Sequence, residues 1–185
     1  MKDINNSLKI WLEELDRYEL TSYEKLPDID LYMDQMITYL ERNLNTFSLS
    51  SLDKQITSSM INNYVKGDCI PNPIAKKYNK EHIALILQIC LLKRAINISD
   101  IKQIIDSNYQ NTDFKETYND FKDKANEILH KVSKEANEKL ENIETNNHKD
   151  LHKLALELSL VANAHILIAK RILSYIEIQN NLKDE

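Results

Sequence analysis

Residues 57–82, TSSMINNYVKGDCIPNPIAKKYNKEH, gather side chains whose chemistry suits a polyanion. Thr57 and Ser58 bring hydroxyls that donate to phosphate oxygens, and Lys66, Lys76 and Lys77 bring ammonium groups that bind phosphate as point charges. Asn62 and Asn63 carry the amide that forms two hydrogen bonds with the adenine edge in a major groove. With Lys80, four lysines fall between positions 66 and 80.

The charge distribution makes this clustering informative. The whole chain of 185 residues has a net charge of -5, which argues against a nucleic-acid partner if the charge is spread evenly. It is not: residues 1–53 sum to -6, residues 54–102 to +5 and residues 103–185 to -4. A basic middle lies between two acidic flanks.

Other constellations are weaker. Asp28, Asp30 and Asp34 have the alternation of a calcium loop, but Tyr32 stands where a third oxygen ligand is needed, so helix-start partners explain them better. His148 and His152 are one helical turn apart and would need His130 or Glu144 to complete a metal set; no HExxH arrangement accompanies them. His165 interrupts an apolar seam and is read as a partly buried histidine bonded to a neighbour or to its dimer mate, in preference to a ligand or pH-sensing role. Cys69 is read as a small core residue in preference to a redox switch. No Ser/His/Asp or Cys/His set is recognisable, so no enzyme is expected and no catalytic residue, metal, cofactor or small-molecule effector is assigned.

The elements that position these residues follow from composition and periodicity. One glycine and three prolines leave little material for tight turns, which predicts an all-α chain and excludes glycine-rich phosphate loops. Cys69 and Cys90 lack CxxC spacing and no signal-like segment opens the chain, so a reduced, cytoplasmic, soluble protein is expected. The apolar runs near 83–92 and 154–169 are broken by Gln88, Glu157, Ser159, Asn163 and His165, and no membrane association is expected.

Ile4, Leu8, Trp11, Leu12, Leu15 and Tyr18 predict a first helix, and Pro27 with Asp28 the entry to a second. Ser48 to Asp53 reads as a polar loop. Thr57 or Ser58 caps a short helix that Gly67 ends; Cys69–Pro73 and Lys76–Tyr78 read as two extended pieces around a turn. Asn79 or Lys80 opens a helix with Ile83, Ile86, Leu87, Cys90 and Leu91 inside, and Ser99 caps the next. From Thr112, Phe114, Tyr118, Phe121, Ala125, Ile128 and Val132 step by four and three. After the bend at 145–147, Leu151, Leu154, Leu158, Val161, His165, Ile168, Ile172 and Tyr175 do the same, which predicts a long antiparallel helical hairpin. Its second helix is apolar beyond this seam and should be buried on more than one side, its extra face covered by the N-terminal helices or by another subunit.

The order of these elements resembles a winged helix-turn-helix of the mercury-resistance-regulator (MerR) type. Ile61, Tyr64, Ile70, Pro71, Lys76, Tyr78 and Ser99-Asp100-Ile101-Lys102 fall at matching places over roughly residues 55–107. Asn62-Asn63 replaces the usual Arg-Tyr, and Lys76 replaces the wing arginine. LPDIDLYMDQ at 26–35, MINNYVK at 60–66 and KKYNKEH at 76–82 are closer still to the domain-of-unknown-function family 1836, over roughly residues 20–107.

The resemblance implies a MerR-like head with a small β-wing within residues 1–110; the hairpin over 111–185 is expected to make a homodimer, because one copy leaves too much apolar surface on its second helix and paired heads would read paired half-sites. The resemblance implies a transcriptional regulator that contacts duplex DNA through a recognition helix (57–66) and a lysine-bearing wing (68–78). In that arrangement Thr57, Ser58, Lys66, Lys76 and Lys77 meet phosphates, Asn62 and Asn63 read bases, and Tyr78 belongs to the wing. The alternative is a protein-protein interaction adaptor that keeps the helix-turn-helix shape without binding DNA.

Overall fold

Polar caps and apolar periodicity set most element boundaries of this chain, whose computed structural model describes residues 4–47, 56–144 and 147–182. These residues are mostly helical, with seven α-helices and one two-stranded antiparallel sheet. The helices are α1 (Ile4–Asp16), α2 (Met33–Asn43), α3 (Ser58–Lys66), α4 (Lys80–Leu92), α5 (Ile98–Tyr109), α6 (Phe114–Glu141) and α7 (His148–Asn181). The strands are β1 (Leu31–Tyr32) and β2 (Lys77–Tyr78). The polar loop expected at 48–53 and residues 145–146 of the expected bend lie outside the described residues.

The chain divides into two units, one of Leu20–Ala125 and one that joins Met1–Glu19 to Asn126–Glu185. In the first, α4 is the central element. Its segment His82–Ile89 is buried at every position, as an all-round apolar helix must be. Asn79 starts it with a reciprocal cap: its Oδ1 accepts from the His82 N–H at 3.1 Å, and its own N–H donates to His82 Nδ1 at 3.2 Å. Gln88 is buried there, and its amide donates to the Tyr109 hydroxyl at 2.6 Å. Tyr109, Phe114, Tyr23 and Tyr118 form a ring cluster beside it, and the Tyr118 hydroxyl donates to the Thr21 carbonyl at 2.9 Å.

Two boundaries differ from the sequence reading. Pro27 does not open α2, which begins at Met33: after a bend at Asp28 and Ile29 the chain forms β1, paired antiparallel with β2 at Leu31↔Tyr78 and Tyr32↔Lys77. Asp28 therefore serves no helix terminus and forms an ion pair with Lys80. Asn97, not Ser99, caps α5. Its Oδ1 accepts from the Asp100 N–H at 2.8 Å and from the Ser99 hydroxyl at 2.6 Å.

In the second unit, Leu12 of α1 packs with Ala136 and Leu140 of α6, with Leu8 and Leu151 against them. Asn5 donates to the Ile143 carbonyl at 3.1 Å, and Lys139 pairs with Glu157 at 2.6 Å. The buried face of this part of α6 runs through Ser133, Ala136 and Leu140, so Ile128 and Val132, expected inside, are exposed. Small side chains there let α1 approach closely.

In a single copy of the chain the apolar side chains of α7 are mostly exposed, and His165 is exposed with them. The Glu157, Asn163 and His165 interruptions do not lower its hydropathy enough to exclude a span. The helix over His148–Asn180 is long enough to cross a membrane and contains an 18-residue stretch apolar enough to do so, with mean hydropathy 1.3.

Candidate nucleic-acid interface

Thr57 starts α3 as an N-cap, its hydroxyl oxygen accepting from the Met60 N–H at 3.2 Å. Ile61 and Tyr64, one turn apart, are buried and fix the helix against the unit's core. The opposite positions, Ser58, Asn62, Asn63 and Lys66, are exposed. Burial pushes the Tyr64 phenol up to about 12, so it stays protonated, and its hydroxyl has no hydrogen-bond partner among the described residues.

The helix ends at Gly67, whose N–H donates to the Asn63 carbonyl at 3.0 Å. Gly67 has an ordinary negative φ of -88°; the left-handed residue is Asp68, at 52°. Its carbonyl accepts from the Lys102 ammonium at 2.8 Å, which ties the end of α3 to α5.

Downstream, a four-residue turn runs from Ile74 to Lys77, closed by the Lys77 N–H donating to the Ile74 carbonyl at 2.9 Å. Both central residues are left-handed, Ala75 at φ 50° and Lys76 at 62°. That is the backbone of a tight hairpin turn, where glycine and asparagine are the usual occupants. The turn places Lys76 outside, exposed, at its corner. The strand that follows pairs with β1, so the expected extended piece at Cys69–Pro73 supplies no strand.

The sequence-predicted residues thus divide. Thr57, Ser58, Asn62, Asn63 and Lys66 sit together on α3 or its cap, and Lys76 and Lys77 on the turn and β2. Both α3 and β2 pack on α2, which relates them. Lys77 is half-buried, its ammonium 5.3 Å from the centre of the Tyr32 ring, opposite it in the sheet. No carboxylate pairs with Lys66, Lys76 or Lys77 among the described residues.

Tyr78 stands apart from this surface. It is 3% exposed, edge-on to the His82 ring at 5.5 Å, and anchors the strand from inside. Lys80, counted with the basic cluster, is committed to Asp28 and lies 5.2 Å from the Tyr23 ring centre.

Next to the turn, a cavity of about 280 Å³ is lined largely by apolar groups, among them Ile70, Pro71, Leu85, Ile105 and Phe114, with Asp68 and Asp106 at its edge. Cys69 lines it too, but is buried, and burial pushes its thiol up, which keeps it protonated and unreactive. Among the described residues no group of three His, Cys, Asp or Glu side chains converges on a metal position.

Sequence reasoning missed two contributors to this region. Tyr32 shields Lys77 from a strand too short to carry a periodic signal, and Ala75 shares the left-handed turn although alanine gives no hint of one.

The region is therefore a mostly helical domain with a two-stranded sheet, a short polar helix and a basic turn held on one scaffold. The chain belongs to the family described as Domain of unknown function (DUF1836), whose model matches residues 21–121, nearly the whole of the Leu20–Ala125 unit. No curated protein and no solved structure matches the chain.

Proposed function

We propose that this protein is a DNA-binding transcriptional regulator whose Leu20–Ala125 unit works as a MerR-like winged helix-turn-helix head. α3 is its recognition helix, and the turn at Ile74–Lys77 is the tip of its wing. Asn62 and Asn63 read adenine edges, while Ser58, Lys66, Lys76 and Lys77 hold phosphates and set the register.

The observation that carries this reading is Lys76. A non-glycine residue in the left-handed region costs about 1–2 kcal/mol, and here that strain supports an exposed ammonium at the corner of a tight turn. On α3, which packs on α2 as β2 does, the exposed asparagine pair lies on the face that faces away from Ile61 and Tyr64.

One observation favours a second reading, a protein-interaction adaptor. Ile74 is 76% exposed at the same turn, an apolar contact suited to a protein surface. The two readings separate on one experiment: fluorescence anisotropy of labelled duplex DNA with the full chain and with an Asn62→Ala, Asn63→Ala, Lys76→Ala, Lys77→Ala variant. A regulator binds the duplex and the variant does not; an adaptor gives no binding with either.

A further inference from the structure

The seam of α7 bears on an interaction that the DNA-contacting surface does not involve. Leu158, Val161, His165, Ile168, Ile172 and Tyr175 follow one another at steps of three and four residues, and every one is more than a third exposed. A repeat of 3.5 residues keeps one stripe facing a second helix that winds around the first; a lipid surface imposes no such period.

The residues flanking the seam say which helix and in which direction. On one flank Ala155, Ala162 and Ala169 recur every seven residues; on the other stand Glu157, Ala164 and Arg171. Suppose a second α7 lies antiparallel on the first, with the two-fold axis beside Asn163. Leu158 then faces Ile168 of the second copy, and Val161 faces His165. Ala162 meets its own counterpart, Ala155 meets Ala169, and small side chains along that whole edge permit close approach. On the other edge Glu157 meets Arg171, twice by symmetry.

A parallel pair loses this complementarity, since Glu157 would face Ala162 and Arg171 would face Ile176. Both charged groups are already held in place: Glu157 accepts from Lys139 at 2.6 Å, and the Arg171 guanidinium lies 5.6 Å from the Tyr175 ring centre, at the end of the seam. A membrane is a poorer occupant, because Asn163 and His165 lie at the middle of the apolar stretch, where polar groups cost most.

We propose that α7 is the site of an antiparallel, two-fold association with α7 of a second copy of this chain, in the register that joins Glu157 to Arg171. The test uses the full chain in sedimentation equilibrium, with circular dichroism to confirm that each variant keeps its helix content. The wild type is a dimer. Arg171→Glu sets like charges opposite each other twice and weakens association roughly tenfold. Adding Glu157→Arg restores most of it, the remainder being the lost Lys139 contact.

Under mild oxidation Ala162→Cys forms a disulfide-linked dimer while Leu156→Cys, outside the seam, matches the wild-type blank. A wild-type monomer at tens of micromolar overturns the proposal, as does a charge swap that fails to restore association. So do cross-linking through Leu156→Cys in place of Ala162→Cys, and a monomer that partitions onto phosphatidylcholine vesicles.

Discussion

Ala75 and Lys76 adopt left-handed backbone side by side, at φ 50° and 62°, and together turn the chain into β2. Neither residue is suited to that region, since the side chain crowds the following carbonyl. The pair stores strain at the corner where the account places a phosphate contact.

Glycine at either position should therefore stabilise the fold, by about 1 kcal/mol, less the flexibility glycine adds to the unfolded chain. Ala75→Gly is expected to raise the urea midpoint and leave duplex affinity unchanged. Lys76→Gly is expected to raise the midpoint and weaken binding. A fall in stability for both would show that the turn is held by something other than its backbone geometry.

The exposed face of α3 gives a second contrast. Asn62→Ala and Asn63→Ala remove groups that nothing in the core needs, so stability should stay within about 0.5 kcal/mol of wild type. Thr57→Ala removes the cap on the Met60 N–H and should cost about 1 kcal/mol. Thermal unfolding of the three variants checks the difference. Because Thr57 has this structural duty, a loss of binding in its variant says little about phosphate contact, whereas a loss in the asparagine variants does.

Much of this was legible in the sequence, and the failures have physical causes. Thr57 and Asn79 are good cap residues three or four positions ahead of the first apolar side chains, Met60 and Ile83, and both act as caps. The run at 83–89, apolar except for Gln88, signals a buried helix, and α4 is buried from His82 to Ile89. β1 was not legible: it is two residues long and its residues pair 47 and 45 positions away, so no local pattern marks it. Asn97 and Ser99 are both good caps, and only the packing of Ile101 and Ile105 selects between helix starts two residues apart. On α6, Ser133 and Ala136 carry little hydrophobic signal, and their small size is the reason α1 packs there. Of the candidate site, the helix surface was legible from spacing; the inward position of Tyr78 was not, since it depends on a sheet the sequence does not announce.

Inside the Leu20–Ala125 unit, Gln88 and Tyr109 satisfy each other's buried polar groups. Tyr109→Phe leaves the Gln88 amide with only the Ala84 carbonyl, at 3.5 Å, and should cost about 1–3 kcal/mol. Replacing Gln88 by Met in the same chain removes the orphaned amide and should recover part of that loss. Urea unfolding of the single and double variants measures the coupling; purely additive effects would mean that the two residues act independently.

His82 gives a pH dependence. Burial holds its pKa below the ordinary 6.5 and outweighs the backbone groups of Asn72 and Pro71 and the Glu81 and Asp30 carboxylates, which act to raise it. Above 6.5 the ring is neutral in both folded and unfolded chains. Below it the unfolded chain takes up the proton first, so stability is lost as pH falls from 6.5 toward the lower folded value. Glu24 acts at a more acid range, because its hydrogen bond from the Lys115 ammonium holds its carboxylate down at about 2. His82→Gln keeps a reciprocal cap and cannot titrate. Its stability should stay flatter with pH just below 6.5; a slope equal to the wild type's would assign the effect elsewhere.

The most direct measurement of the central claim is duplex binding by the full chain against salt concentration, using DNA from the region upstream of its own reading frame. With Lys66, Lys76 and Lys77 on phosphates, log affinity should fall against log salt with a slope of about -3 per bound chain, and the Lys76→Ala, Lys77→Ala variant should lower that slope to about -1. Undetectable binding at low salt, or a slope that the two substitutions leave unchanged, would contradict the account.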